Sequence, residues 1–212
     1  MKEIIEHIDK KEAILRTAEK LFSEQDFDAV SVRDIAKEAN VNIAMISYYF
    51  GSKEKLFEAI ILSRIELSQL TVKTIATDEI MTSWEKLMAV VDFYTDRLMN
   101  NRNVHKMINR ELTINSRPVL RDLLINKITV NKEYLKMMMT EGIARGEFRA
   151  EADAEMMMMN LFGMLQYIVG SPHYSCRMLD QSTEEDLFRP EFRERTKNYF
   201  KDLFKKYLLI NP

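Results

Sequence analysis

Ile14, Leu15, Ala18, Leu21 and Phe22 recur three and four residues apart, the spacing of one helix face, and predict a first helix over about residues 9–25. The segment QDFDAVSVRD breaks that pattern. Ser31 with Asp34 three residues on resembles a capping box, so a second, short helix starts near Val32 with Val32, Ile35, Ala36 and Ala39 on its apolar side. Asn40 tolerates a left-handed turn better than any residue except Gly, and Asn42 can cap a third helix, Ile43 to Phe50. Gly51 stops that helix, and Ser52 caps a fourth that runs to about residue 75.

Further on, Trp84, Leu87, Met88, Val91 and Tyr94 mark a fifth helix, and residues of about 102–115 a sixth. Pro118 opens a long seventh that ends near Arg145-Gly146, and Asp153 an eighth that reaches about Val169. The segment from Gly170 to Pro190 is polar and reads as irregular, with room for a short helical turn. A ninth helix carries Phe192, Tyr199, Phe200, Leu203, Phe204, Tyr207 and Leu208 on one stripe, with Arg193, Lys197, Lys201 and Lys205 largely opposite. The pattern predicts an all-α chain of about nine helices. The division expected is residues 1–52 as an N-terminal three-helix domain and 53–212 as a larger helical domain, the fourth helix (about 52–75) connecting them.

Composition agrees with this. Five Gly and four Pro in 212 residues leave little punctuation for strands. A formal net charge of -2 with 30% charged residues argues against a disordered tail or a bulk polyelectrolyte binder. It does not exclude nucleic acid, since charge can be concentrated on one edge. Cys176 stands alone, so no intrachain disulfide can form, and a reducing cytoplasm is expected. The most apolar stretch, Met156 to Val169, is interrupted by Asn160 and Gln166 and falls short of the roughly 20 residues of a membrane span, so no membrane partner is expected.

The stretch NVNIAMISYYFGSKEKLF (40–57) crowds apolar and aromatic residues into a helix too short to be an ordinary solvated element. Two short helices joined by a tight turn, Val32–Ala39 and Ile43–Phe50, have helix-turn-helix spacing. Val41, Ile46 and Phe50 fall inward, which leaves Asn42, Ile43, Ala44, Ser47 and Tyr48 facing out. Small residues there let a backbone press close to base edges in the major groove. Tyr49 and Lys53 can hold phosphates, and the N–H groups after Ser52 form an anion site. Taken alone, an aromatic-rich short helix is more often core packing; its ordered combination with Ser31 and Arg33 favours double-stranded DNA.

The order of those residues carries a resemblance. From Ala13 to Ile61, with LF, then SVRDIA, a turn, and YYFGSKEKLF, the chain resembles the N-terminal domain of TetR/AcrR-family transcriptional regulators; EGIARGEFR (141–149) followed by Asp153 is similar to the family's link between its seventh and eighth helices. The resemblance implies that Arg33 and the face of Ile43, Ala44, Ser47 and Tyr48 enter the major groove, with Ser31, Tyr49 and Lys53 as phosphate anchors. It implies a homodimer on a palindromic operator, most commonly a repressor released by a small-molecule effector. This sequence departs from the family pattern at Asn40, in place of the usual Gly, at Ser47, where Tyr is common, and at Ile43, where a polar or basic residue is frequent.

MMMM at 156–159 cannot converge on one metal ion, because consecutive helical residues step about 100° around the axis. A helix apolar on nearly all sides is instead buried between two partners. In the family this helix packs on its own core and on a second subunit, which makes Met157, Leu161, Met164, Leu165 and Ile168 the expected dimer interface. Phe200 and Phe204 would complete it, with Gly163 allowing close approach. Phe93, Tyr94, Met107, Tyr134, Met137, Met138 and Phe162 form the pool for a hydrophobic or amphipathic effector cavity, and His105 and Arg110 could meet a polar ligand end. For any single one of these, ordinary core is the commoner role. The His residues and Cys176 fall in no nucleophile or zinc spacing and no Gly-rich phosphate loop exists, so no enzyme, no cofactor and no metal is expected. The rival reading is a dimeric small-molecule-binding protein without operator-specific DNA binding.

Overall fold

The structure is a computed structural model that describes residues 2–113 and 117–210, with side chains from Lys10 onward. Its described residues form eleven α-helices and two short 3-10 turns. The chain divides into two compact units, Met1–Leu67 with Lys106–Ile125, and Ser68–His105 with Asn126–Pro212.

The first unit begins with α1 (Lys2–Glu24), a 3-10 turn (Phe27–Ala29), α2 (Val32–Glu38), α3 (Ile43–Phe50) and the start of α4 (Lys53–Ala76). Phe22, Phe27 and Phe57 form its centre, with ring centroids 4.9–5.4 Å apart. Ile14, Ala18, Ile35, Ile46 and Leu56 are buried around them. Each such large apolar side chain contributes about 1.5–3 kcal/mol on burial. Arg64 of α4 grips Glu19 of α1 through Nε and Nη2, the closest contact being 2.6 Å.

The same unit takes most of α6 (Arg102–Thr113) and of α7 (Pro118–Ile128). Arg117 lies over the rings of Phe27 and Phe57, 4.0 and 4.7 Å from their centroids, and binds the buried carboxylate of Glu111 in a fork. The first unit runs to Leu67, inside the helix expected to connect the two domains, and also takes in residues of two later helices.

The second unit packs α5 (Ser83–Asn100), α8 (Val130–Ala144), α9 (Ala154–Gly170) and α11 (Pro190–Leu208) around one apolar core. The single helix expected from Pro118 to Arg145 is broken at Thr129 into α7 and α8. Ile128, Thr129 and Val130 are consecutive β-branched residues, and the Thr129 hydroxyl donates to the Asn126 carbonyl, competing with the helix ladder. Gln69 satisfies the Lys127 carbonyl that the break exposes. Between Gly170 and Pro190 the chain forms α10 (Pro172–Met178), with Pro at its first position, and a second 3-10 turn (Glu184–Phe188) opened by a Thr183–Asp186 capping box.

α8 ends on Gly146, whose φ of 71° is a left-handed conformation, and the Glu147 and Gly146 N–H groups return to Gly142 and Ile143. That turn drives Phe148 against Gly142 so closely that a Cβ there would lie 2.2 Å from a ring carbon. The basic residues of α11 were expected largely opposite its apolar stripe, with no partners assigned to them. Instead Lys201 pairs with Asp92 at 2.8 Å, Lys197 with Asp96 at 2.9 Å, and Arg193 with Asn100. The three rungs climb α5 and α11 in opposite directions, one helical turn at a time.

Candidate nucleic-acid interface and effector site

The turn between α2 and α3 is built by two caps. Ser31 Oγ accepts from Asp34 N at 3.1 Å while the Asp34 carboxylate accepts from Ser31 N at 3.0 Å, which closes a capping box at the start of α2. The Ser31 hydroxyl and then the Ser31 N–H, both donating to the carboxylate, hold the Asp34 carboxyl below its ordinary range. At the other end Asn40 takes a φ of 53°, and the Val41 and Asn40 N–H groups bond to Ala36 O and Lys37 O, the Schellman arrangement. Asn in place of Gly therefore serves the turn. Asn42 Oδ1 accepts from Ala44 N at 2.8 Å and starts α3 at once.

This geometry turns Ile46 into the core, 1% exposed, and leaves Asn42, Ile43, Ala44, Ser47 and Tyr48 exposed, Tyr48 at 74%. They occupy one side of the helix, as its 3.6-residue repeat requires. Tyr49 is half-buried, its ring edge-on to Tyr48 at 5.1 Å. Ser31 and Arg33 are exposed on α2. Gly51, with a φ of 82°, ends α3 by donating to Ser47 O.

Lys53 has a different primary engagement. Its ammonium donates to the carbonyls of Phe27 and Val30 at 2.6 and 2.7 Å and lies 4.1 Å from the Phe27 ring centroid. Two of its three N–H donors thus hold the 3-10 turn to the start of α4. The anion site expected after Ser52 is also partly taken. Lys55 N donates to Ser52 Oγ, and the Glu54 carboxylate is held below its usual range by its own backbone N–H and by Ser52.

Of the residues expected around an effector, the structure brings Phe93, Tyr94 and Phe162 together: Tyr94 lies edge-on to Phe162 at 4.7 Å and beside Phe93 at 5.1 Å. Met138 is fully buried in the same core and Tyr134 packs against it. Met137 is 42% exposed on α8. Met107 and Arg110 belong to the first unit, where Arg110 pairs with Asp26.

Two partners of Tyr94, Asn131 and Arg97, were not expected there from the sequence. Asn131 Nδ2 donates to the Tyr94 hydroxyl at 2.7 Å. The charge of Arg97 bears on both Tyr94 and His105, and Gln166, one turn beyond Phe162, bears on His105. The signal for Gln166 was its interruption of an apolar run. Burial pushes the Tyr94 hydroxyl up to about 12 and the His105 ring down to about 4, the Gln166 contact opposing the latter shift and Arg97 adding to it.

Met157, Leu161, Leu165, Ile168, Phe200 and Phe204, expected at a dimer interface, lie in the chain's own core, each at most 4% exposed, and Met164 is half-buried. Packing within one chain consumes them. The same helices expose Met156, Met159, Gly163 and Tyr167 on α9, and Tyr199 and Tyr207 on α11.

A helix-turn-helix whose third helix exposes one face, followed by a larger all-helical unit, is the architecture of a helix-turn-helix regulator. Two family models match the chain: "Bacterial regulatory proteins, tetR family" over residues 14–60, and "Tetracyclin repressor-like, C-terminal domain" over 81–170. The chain belongs to the TetR/AcrR family of transcriptional regulators, whose members regulate transcription rather than catalyse reactions.

Among its relatives, the Bacillus subtilis protein described as "Probable HTH-type transcriptional regulator YttP" is 27% identical over 199 residues, 93% of this chain and 95% of that one. The repressor NicS of Pseudomonas putida is 43% identical over 51 residues, 24% of each. Among solved structures, the TetR-family regulator PfmR of Thermus thermophilus aligns with a TM-score of 0.70 at 22% identity, covering 91% of this chain and 97% of that one. The fatty acid degradation regulator FadR of Bacillus halodurans aligns at 0.66 and 21%, covering 91% and 94%. Among the described residues no helix is long and apolar enough to cross a membrane, and no group of three or more His, Cys, Asp or Glu could hold a metal ion.

Proposed function

We propose that the protein is a homodimeric repressor that binds a palindromic operator and is released by a small hydrophobic or amphipathic effector. The observation that carries this reading is the exposed face of α3, where Asn42, Ile43, Ala44, Ser47 and Tyr48 point away from the core. Their side chains and Arg33 read bases, Ser31 and Tyr49 meet the flanking phosphates, and Lys53 gives its remaining donor to one.

Dimerisation is supported by the residues that α9 and α11 leave exposed at helical spacing, Met159, Gly163 and Tyr167 on α9 and Tyr199 and Tyr207 on α11, with half-buried Leu203 between the last two. Two-fold symmetry then places one α3 in each half-site. Release follows from α4, α6 and α7, each of which contributes residues to both compact units. An effector that favours one arrangement of those helices shifts operator affinity roughly 5- to 150-fold, for a coupling of about 1–3 kcal/mol.

The test is selection of bound fragments from a genomic library, with light scattering on the same preparation. Enrichment of one palindrome by a particle of twice the 25.0 kDa chain mass supports the reading. A dimer that enriches no sequence supports the rival, a ligand-binding protein without operator specificity. Tyr48→Ala changes which bases are enriched; if it lowers all affinities alike, α3 is not the reading element.

A further inference from the structure

The first turn of α3 carries Ile43 and Ala44, both exposed, Ile43 at 44%. In a helix-turn-helix the N-terminal residues of the second helix are the ones that meet base edges. This helix offers little hydrogen bonding at that end. Asn42, the residue before it, turns its Oδ1 onto the Ala44 N–H at 2.8 Å. An amide held on its own helix cannot lay oxygen and nitrogen side by side along an adenine edge. Ser47 and Tyr48, one turn on, bring one hydroxyl each; a hydroxyl both donates and accepts, so it discriminates weakly between bases. Of the residues assigned to bases, only Arg33 has the two-donor fork that fits guanine, and it stands on α2.

An apolar side chain pressed into the major groove finds one apolar feature there, the C5 methyl of thymine. A G·C pair presents only polar groups, guanine O6 and N7 and the cytosine amino group. Ile43 has no hydrogen bond to return for the water these would lose, which is costly. Ala44 adds a second methyl-sized contact beside it, and its small size lets the α3 backbone come close enough to make both.

We propose that α3 reads its half-site through thymine C5 methyl groups, met by Ile43 and Ala44, which makes the operator A·T-rich where this helix enters it. This rests on the operator-binding reading above and narrows it to a class of DNA. Such recognition follows the methyl group and not the base pair. Uracil pairs as thymine does but lacks the methyl, and 5-methylcytosine carries it at the same ring position in a G·C pair.

The experiment first selects duplexes from a fully randomised library with the full-length protein. Uracil then replaces each thymine of the enriched half-site in turn, and cytosine or 5-methylcytosine is placed at the positions that respond. Loss of a contacted methyl should weaken binding about fourfold, and about fifteenfold when both half-sites of a palindrome are changed. At the same positions 5-methylcytosine should bind about fourfold more tightly than cytosine. Ile43→Ser, at an exposed site, should erase the methyl effect at one position and keep it at the other.

A half-site in which no thymine responds to uracil overturns the proposal; any A·T preference then comes from duplex shape. G·C pairs at the position whose preference Ile43→Ser alters overturn it as well. The uracil scan on the unaltered chain decides the question even if the variant fails to fold. Failure of the wider reading looks different. If no duplex is enriched, operator binding and this proposal fall together, whereas enriched duplexes indifferent to methyl groups keep operator binding and remove only the methyl readout.

Discussion

Replacing Lys53 by Met keeps the aliphatic stem and removes the ammonium. The structure says what is lost: donations of 2.6 and 2.7 Å to the Phe27 and Val30 carbonyls, and a cation 4.1 Å from the Phe27 ring centroid. A hydrogen bond from a charged group is worth about 1.5–3 kcal/mol net, and a cation over an aromatic face about 0.5–1 at an exposed site. The site is half-buried, so water can replace part of the lost bonding, and the combined loss is about 2 kcal/mol. For a chain of this size that lowers the melting temperature by about 4–8 °C. The assay is thermal unfolding without DNA, paired with operator binding across a salt series. Loss of a phosphate contact as well would reduce the salt slope by about one and weaken all sequences alike. A Lys53→Met protein that melts with the unaltered chain, yet binds every DNA more weakly, would refute the clamp and return Lys53 to a purely phosphate-facing role.

Gly142→Ala forces a Cβ into the Phe148 ring and should destabilise by about 1–3 kcal/mol in thermal unfolding, whereas Gly163→Ala, with nothing within 4 Å, should not. Phe200→Glu should unfold the second unit, because Phe200 is fully buried; Tyr199→Glu, on the exposed stripe, should leave circular dichroism intact and halve the mass in light scattering. His105 has a folded-state pKa depressed from 6.5 to about 4, so the unfolded chain binds the extra proton between those values. Stability is thus full above pH 6.5 and declines toward pH 4. Denaturant titrations at pH 7, 5.5 and 4.5 should show a smaller decline in His105→Gln; an identical decline would place the lost stability elsewhere.

The first fifty residues were legible because their signals are local. A capping box, an Asn in a left-handed turn, an Asn cap and a Gly stop lie within a few residues of the helices they bound, and α3 begins and ends where they place it. The side of α3 that faces out was equally readable from its repeat. What stayed hidden depends on distant partners. Lys53 reads as a free cation until the fold brings the Phe27 and Val30 carbonyls beneath it. Phe200 and Phe204 could face a second chain or their own, and periodicity gives only that they share a side. The break at Thr129 is carried by side-chain competition and by Gln69, fifty-eight residues from the carbonyl it satisfies. Asn131 looked like an ordinary helix residue, since a polar side chain near a helix start carries no mark of the hydroxyl it will meet.

The rungs Arg193–Asn100, Lys197–Asp96 and Lys201–Asp92 bear on how the second unit finds its alignment. Apolar packing is non-directional, and Phe200 and Phe204 would be nearly as well buried if α11 slid one turn along α5. A one-turn slip strands Lys201 in one direction and Arg193 in the other, so the observed register is the one in which all three of these α11 side chains are paired. Polar matching at every fourth residue acts as a ruler laid along a greasy seam. Exchanging both members of a rung should be forgiven where exchanging one is not, so the alignment is held by the relation between the two helices rather than by either one's sequence.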